Sequence, residues 1–179
     1  MADFDIRMLA EDEWRLYRDI RMAALREAPQ AFAASVAEEA AHDEDVWRDR
    51  MTHARRFVAE REDEALGVVC LGLHNDDQEL GEVFGLWTAP SVRGHHVGWG
   101  LVASAARRAL EDGRRLLYYW VRSDNGPGIG FASSFGFRPT SQRRSLVGSE
   151  PGAEAEADEV AMVMSLSADP TMSRNPYIE

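Results

Sequence analysis

The sequence predicts one α/β domain, and three observations indicate this class. A chain of 179 residues is long enough for one sizeable core but short for two. Apolar runs with strand character come between segments in which apolar residues recur every three or four positions. One strand pattern, residues 81–88, leads through a glycine-rich loop into a helix. We expect the domain to span residues 4–167, followed by a polar C-terminal tail at 168–179.

The first half of the chain predicts a strand, two helices and a pair of strands. An apolar run at 6–9 indicates the strand, and the acidic residues at 11–13 suit the start of a helix because they face the positive end of its dipole. A second helix is expected from about Asp43. Two strands, at 56–60 and 65–73, follow.

The second half predicts a strand, a helix, a buried strand and a closing hairpin. The strand at 81–88 precedes a helix that ends at Gly113, as a C-terminal glycine should end it. The continuous aromatic run at 116–121 is typical of a buried central strand. A short helix at 128–135 and two strands complete the domain; the strands are expected at 145–147 and 159–166.

Composition limits the partners and the compartment. A formal net charge of −11 argues against nucleic acid and would attract a cationic small molecule or a basic peptide. The one cysteine, Cys70, stands in an apolar run, which indicates a buried residue in a reduced compartment. No run reaches the roughly 18 apolar residues of a membrane helix, and no signal-peptide pattern is present. We expect a cytoplasmic protein that binds no membrane.

The loop after the strand at 81–88 predicts an anion site. Gly94, Gly98 and Gly100 leave the main-chain N–H groups uncrowded, and the first helical turn has N–H groups without intrahelical partners. The lysine-containing phosphate-loop pattern is absent because the chain has no lysine, and the dinucleotide-binding glycine pattern fails on spacing. A phosphate loop of a third kind is therefore expected.

This loop resembles motif A of the GNAT superfamily of acyl-CoA-dependent N-acyltransferases. The residues in register are Thr88, Pro90, Arg93, Gly94, Gly98 and Leu101. His96 stands where glycine is usual, which is costly if that position needs a positive φ. A second family pattern matches further along the chain at Asn125, Phe131, Gly136 and Phe137. Within it, Ala132 takes the place of the usual tyrosine.

The resemblance implies a fold and an activity. The fold would be a three-layer α/β/α domain with a mixed, largely antiparallel sheet of about six or seven strands. The activity would be transfer of an acetyl group from acetyl-CoA to a primary amine of a small molecule or peptide, by direct attack in a ternary complex and without a metal. Homodimers are common in the family. The departures at His96 and Ala132 leave an alternative open, a non-catalytic acyl-CoA-binding sensor or regulatory module of the same fold.

The resemblance also implies binding residues. Coenzyme A is expected at the strand end, the loop, the first helical turn and the second motif: Leu86, Trp87, Thr88, Arg93, Gly94, His95, His96, Val97, Gly98, Trp99, Gly100, Asn125 and Phe131. Phe32 and Glu38 lie between the first two helices, which border the acceptor in the family. With Ala132 at the tyrosine position, the thiolate would leave unprotonated or take a proton from water, Ser133 or Ser134.

Glu82 is the candidate general base. A glutamate eleven residues before the motif A arginine serves as base in some family members, and Glu82 stands at that distance from Arg93. Period-two alternation predicts a row that leads from this carboxylate toward the acyl site: Glu82, Phe84, Leu86 and Thr88. The alternative is a structural glutamate paired with an arginine. The histidines lack the spacing of metal ligands, so no metal site is expected.

Overall fold

A seven-stranded mixed sheet forms the middle layer of the computed structural model, which describes residues 4–32, 34–146 and 157–167. The strands are β1 (Asp5–Met8), β2 (Arg55–Arg61), β3 (Glu64–His74), β4 (Asp77–Thr88), β5 (Leu116–Arg122), β6 (Arg138–Leu146) and β7 (Ala157–Ser165). Their order across the sheet is β1-β2-β3-β4-β5-β7-β6. Neighbouring strands are antiparallel except β4 and β5, which are parallel.

Helices cover both faces of the sheet. They are α1 (Trp14–Glu27), α2 (Val36–Ala40), α3 (Glu44–His53), α4 (Val97–Glu111) and α5 (Gly126–Phe135). Helix α4 joins the two parallel strands, as a crossover between parallel neighbours requires. The three-layer α/β/α fold and the mixed sheet are therefore confirmed.

Two cores hold the layers together. On one face, the side chains of α1 and α3 pack on β2, β3 and β4; the buried members include Trp14, Tyr17, Trp47, Val58, Val68, Cys70 and Trp87. On the other face, α4 and α5 pack on the same sheet; the buried members include Val69, Val83, Leu101, Leu117, Val121, Ala132 and Phe137. Cys70 is free and buried, as its apolar run predicts.

Helix α2 is the element that the sequence patterns missed. It has only five residues, too few for an apolar stripe to show. Its signal is the capping box, in which Ser35 Oγ accepts the Glu38 N–H and the Glu38 carboxylate accepts the Ser35 N–H.

Several predicted boundaries are wrong. Strand β4 begins at Asp77, before the predicted residue 81, because Asn75 and Asp76 adopt left-handed φ angles of 52° and 58° and close a tight hairpin with β3. Strand β6 begins at Arg138, before the predicted residue 145, and pairs with β7 from there. The predicted tail at 168–179 lies outside the described residues. No helix in the described part of the chain is long and apolar enough to cross a membrane.

Candidate active site

A cleft opens where β4 and β5 separate. The two strands pair only as far as Val83 and Tyr119, although both continue beyond that point. Residues 84–86 then form one wall and residues 119–121 the other, in a cleft of about 790 Å³. Main-chain groups along the diverging edges lose their strand partner, so a ligand in the cleft can bind them.

A bulge at Gly85 redirects the end of β4. Between its pairings with Val68 and Cys70 of β3, β4 carries one extra residue, and Gly85 has a φ of 62°. Phe84 and Trp87, the partners of Cys70 and Val68, therefore lie on the α1 face.

The bulge overturns one prediction. Leu86 packs in the α4-side core, and Thr88 Cγ2 lies near Gly98 of α4. The expected single row of Glu82, Phe84, Leu86 and Thr88 is wrong, because the extra residue moves the last two to the opposite face.

The loop before α4 has the geometry of an anion site. Gly94 and His96 have left-handed φ angles of 82° and 63°, and α4 begins at Val97. The N–H groups of the first turn, from Val97 to Trp99, have no intrahelical partners. A Cβ placed on Gly98 would meet no atom closer than 3.6 Å, and one on Gly94 no atom within 4 Å. An anion can therefore approach this main chain closely.

The positive φ at His96 explains why glycine is usual there. His96 has a φ of 63°, a left-handed conformation that strains any residue with a side chain. Histidine is therefore a costly residue at this position.

Glu27 at the end of α1 anchors the loop. Its Oε2 accepts a hydrogen bond from Trp87 Nε1 at 3.0 Å and from Arg93 Nη2 at 2.6 Å. The same Arg93 nitrogen donates to the Thr88 carbonyl at 3.2 Å. The Arg93 and Trp87 hydrogen bonds lower the pKa of Glu27. Two predicted coenzyme A contacts, Trp87 and Arg93, thus join the loop to α1.

Trp99 and Phe131 join α4 to α5. The Trp99 ring lies 6.3 Å from the Phe131 ring, edge to face, and 4.6 Å from Phe135. Phe131 is also the nearest aromatic group to the open side of Gly98, with its ring carbons 3.9 Å from a Cβ placed there. These two rings bring the second motif beside the loop.

Four more of the residues predicted to bind coenzyme A lie in or beside this region. Val97 is buried in the core, and His95 is exposed. A Cβ on Gly100 would lie 2.7 Å from Ile6 Cδ1, so glycine lets α4 approach β1. The Asn125 side chain accepts the Gly128 N–H at 2.9 Å and caps α5.

Glu82 lies on β4 just outside the cleft. It shares a face with Phe84, which lines the cleft two residues further along β4. Its Oε2 is 2.8 Å from His74 Nδ1, and its Oε1 is 3.9 Å from Arg144 Nη1. His74 is buried and stacks on Tyr118 with ring centroids 3.8 Å apart. The carboxylate is therefore held mainly by a histidine, with an arginine at longer range.

The part of the cleft beside α1, α2 and α3, where the acceptor is predicted to bind, carries charges of both signs. Phe32 lines the cleft beneath the Arg21 guanidinium, which lies 4.5 Å from its ring centroid. Glu39, which also lines the cleft, is buried and accepts hydrogen bonds from Arg21 at 3.3 Å and Arg50 at 2.6 Å. The carboxylate of Glu38, the other predicted acceptor contact, closes the cap of α2.

Three residues that the sequence analysis did not single out contribute to this site: Glu27, His74 and Tyr119. Tyr119 could have been found from its place in an apolar strand, because the hydroxyl of a tyrosine buried there usually needs a hydrogen-bond partner. Nothing local marks Glu27 or His74, whose contacts come from distant chain positions. In the described residues, no three His, Cys, Asp or Glu side chains group closely enough to hold a metal ion.

Comparison with known families identifies the class. The model of the acetyltransferase (GNAT) family matches residues 11–137, well over half of the chain. The chain therefore belongs to the GNAT acetyltransferase family, which confirms the resemblance of the two motifs. No curated protein sequence matches it.

Solved structures share the fold at low identity. The putative acetyltransferase yncA from Salmonella typhimurium, solved with acetyl-CoA, has a TM-score of 0.70 at 18% identity over 93% of this chain and 96% of its own. The ribosomal-protein-alanine N-acetyltransferase from Brucella melitensis has a TM-score of 0.69 at 23% identity over 90% and 99%. A GNAT acetyltransferase from Elizabethkingia anophelis, with acetyl-CoA bound, has a TM-score of 0.68 at 16% identity over 93% and 100%.

Proposed function

We propose that the protein transfers an acetyl group from acetyl-CoA to a primary amine of a small molecule or peptide. The observation that carries the proposal is the course of β4, which lines the cleft at Leu86 and reaches Thr88, whose Cγ2 lies beside Gly98 in the open first turn of α4. An elongated ligand with a phosphate-bearing end fits this arrangement, since the loop offers main-chain N–H groups at Gly98 and no obstruction at Gly94. Family membership and the neighbours solved with acetyl-CoA support the choice of donor.

The chain's own groups would hold the donor as follows. Arg93 already donates hydrogen bonds to Glu27 and to the Thr88 carbonyl. The pyrophosphate would therefore bind mainly to main-chain N–H groups of the loop and of residues 97–99. The β4 edge at residues 86–88 binds the pantetheine and polarises the carbonyl oxygen. Acetyl-CoA supplies a thioester that an amine attacks directly, and the cleft holds the two reactants side by side.

Glu82 is the proposed general base. An ammonium group cannot attack, so a base must remove its proton, and the Glu82 carboxylate would do so either directly or through a water. Because Glu82 lies behind Phe84 on the cleft wall, a bridging water suits its position better than direct contact. The contact with His74 fixes the orientation of the carboxylate.

The acceptor is proposed as a primary amine that the acidic chain attracts. A net charge of −11 favours a cationic acceptor at long range. Phe32 offers an apolar surface at the acceptor side of the cleft. A cytoplasmic location fits both the donor and the buried free thiol of Cys70.

The test is a screen of acetyl-CoA turnover across an amine panel, with release of free thiol measured with and without each amine. We expect amine-dependent release for at least one primary amine and none from secondary amides. The alternative, a non-catalytic sensor, predicts acetyl-CoA binding by calorimetry with no amine-dependent release across the panel. Glu82→Gln distinguishes them further, since it should lower turnover by about 10²- to 10⁴-fold at neutral pH and leave acetyl-CoA binding intact.

A further inference from the structure

Tyr119 lines the cleft, its hydroxyl has no assigned role, and its ring packs on the core that contains Ala132, the position of the family's tyrosine. Ala132 is fully buried in the core between the sheet and α5, so its position faces the sheet and not the solvent. Ser133 and Ser134 follow it on the helix and turn away from that core; Ser134 Oγ donates to the Phe131 carbonyl at 2.7 Å. The Ser134 hydroxyl is therefore already engaged with the main chain of its own helix.

Tyr119 reaches the same region from the sheet. It is the last β5 residue to pair with β4, so its side chain stands where the two strands separate, and it lines the cleft. Alternation along β5 places it on the same face as Leu117 and Val121, which belong to the α4–α5 core. Its ring packs against that core and lies 5.9 Å from the Phe137 ring. Tyr119 and Ala132 thus belong to one packed group.

The phenol is neutral and able to donate. Burial, and to a smaller extent the charge of Glu159, raise the pKa of Tyr119 to about 12. The proton stays on the oxygen at neutral and moderately alkaline pH. Within residues 4–32, 34–146 and 157–167, no group forms a hydrogen bond with the Tyr119 hydroxyl. Tyr118, its neighbour in sequence, faces the other side of the sheet and stacks on His74.

We propose that the Tyr119 hydroxyl donates a hydrogen bond to the sulfur of coenzyme A, in place of the family's tyrosine at position 132. The inference rests on the proposed function, because it assumes that the cleft binds coenzyme A. A hydrogen bond to a charged sulfur stabilises the thiolate as a leaving group without requiring transfer of the tyrosine proton.

The test compares two ligands that differ at the sulfur. Calorimetry at a pH above the ordinary thiol value of about 8.5 measures the affinities of coenzyme A and of desulfo-coenzyme A, which lacks the sulfur. We expect the wild type to prefer coenzyme A by about 10- to 100-fold, the range of one charge-assisted hydrogen bond. Tyr119→Phe should remove this preference and leave the affinity for desulfo-coenzyme A unchanged.

Two further variants separate a specific role from a general packing effect. Tyr118→Phe makes the same chemical change one residue away on the opposite face, and it should keep the preference for coenzyme A. In turnover, Tyr119→Phe should lower kcat by about 10- to 100-fold with little change in the KM for the amine, whereas Ser133→Ala/Ser134→Ala should keep wild-type kcat.

Each outcome decides one claim. Equal preference for coenzyme A in the wild type and in Tyr119→Phe would overturn the assignment of Tyr119, whether or not the protein acetylates an amine. A lost preference in Tyr119→Phe, kept in Tyr118→Phe, supports it even if no acceptor is found. A wild type that binds neither ligand would refute the proposed function, and the inference with it.

Discussion

Replacement of Gly98 by valine tests the loop at a position where the folded protein tolerates a side chain but a bound phosphate would not. In the folded chain, a Cβ at this position has ordinary contact distances, 3.6 Å to Thr88 Cγ2 and 3.9 Å to the Phe131 ring. Valine is a somewhat better helix former than glycine, so the free energy of unfolding should change by no more than about 0.5 kcal/mol. The ligand, by contrast, needs the space that the side chain would occupy.

The expected loss of affinity follows from the N–H groups that the valine covers. A hydrogen bond to a charged group contributes about 1.5–3 kcal/mol, and displacing a phosphate from two such groups costs about 3–6 kcal/mol. The Kd for acetyl-CoA should therefore rise by about 10²- to 10⁴-fold. Calorimetry measures the Kd, and thermal unfolding monitors the fold.

Gly130→Val is the matched control. Gly130 lies inside α5 with no atom within 4 Å of a Cβ, so the same residue change occurs in a helix but away from the loop. We expect unchanged acetyl-CoA affinity in this variant. Undiminished binding by a folded Gly98→Val protein would refute the assignment of the phosphate site to the first turn of α4.

Three other changes test the site. His96→Gly should raise the free energy of unfolding by up to about 1 kcal/mol, because it relieves the left-handed strain, and acetyl-CoA affinity should stay or improve; His95→Gly, where φ is not positive, should show no such gain in thermal unfolding. Glu82→Gln should lower kcat by about 10²- to 10⁴-fold at neutral pH, with a smaller loss at high pH, where more of the amine is already neutral; wild-type turnover at neutral pH would return Glu82 to a structural role. Glu27→Gln tests the anchor: the pKa of Glu27 is lowered, so its contribution to stability is present above its ordinary value near 4.5 and is lost as pH falls through the folded value. The difference between wild type and Glu27→Gln in urea unfolding should be at most about 1 kcal/mol at pH 7, as for an exposed pair with Arg93, and should vanish in acid; a difference that persists there would contradict the ion pair.

The parts of the fold that depend on local pattern could be predicted from the sequence. The loop before α4 and the helix end at Gly113 were visible because glycine and proline at fixed offsets restrict the backbone directly. The left-handed conformation at His96 could not be predicted outright, because the identity of one residue does not determine its φ. Helix α2 was missed because its evidence is a single capping pair, Ser35 and Glu38.

The parts of the site that depend on strand register could not be predicted. One bulge residue, Gly85, reverses the faces of Leu86 and Thr88, and no periodicity within β4 announces it. The contact of Glu82 with His74 joins the two sides of a hairpin, and the contacts of Glu27 join α1 to residues far along the chain. Such pairings become visible only when the sheet fixes which residues are neighbours.

Acetyl transfer to an amine can be measured by mass spectrometry of the amine panel after incubation with acetyl-CoA and the wild-type protein, with Gly98→Val in parallel. We expect a primary amine that gains one acetyl group on nitrogen with the wild type and much less with the variant. Acetylation by the variant at the wild-type rate, or no acetylated amine from a wild type that binds acetyl-CoA, would contradict it.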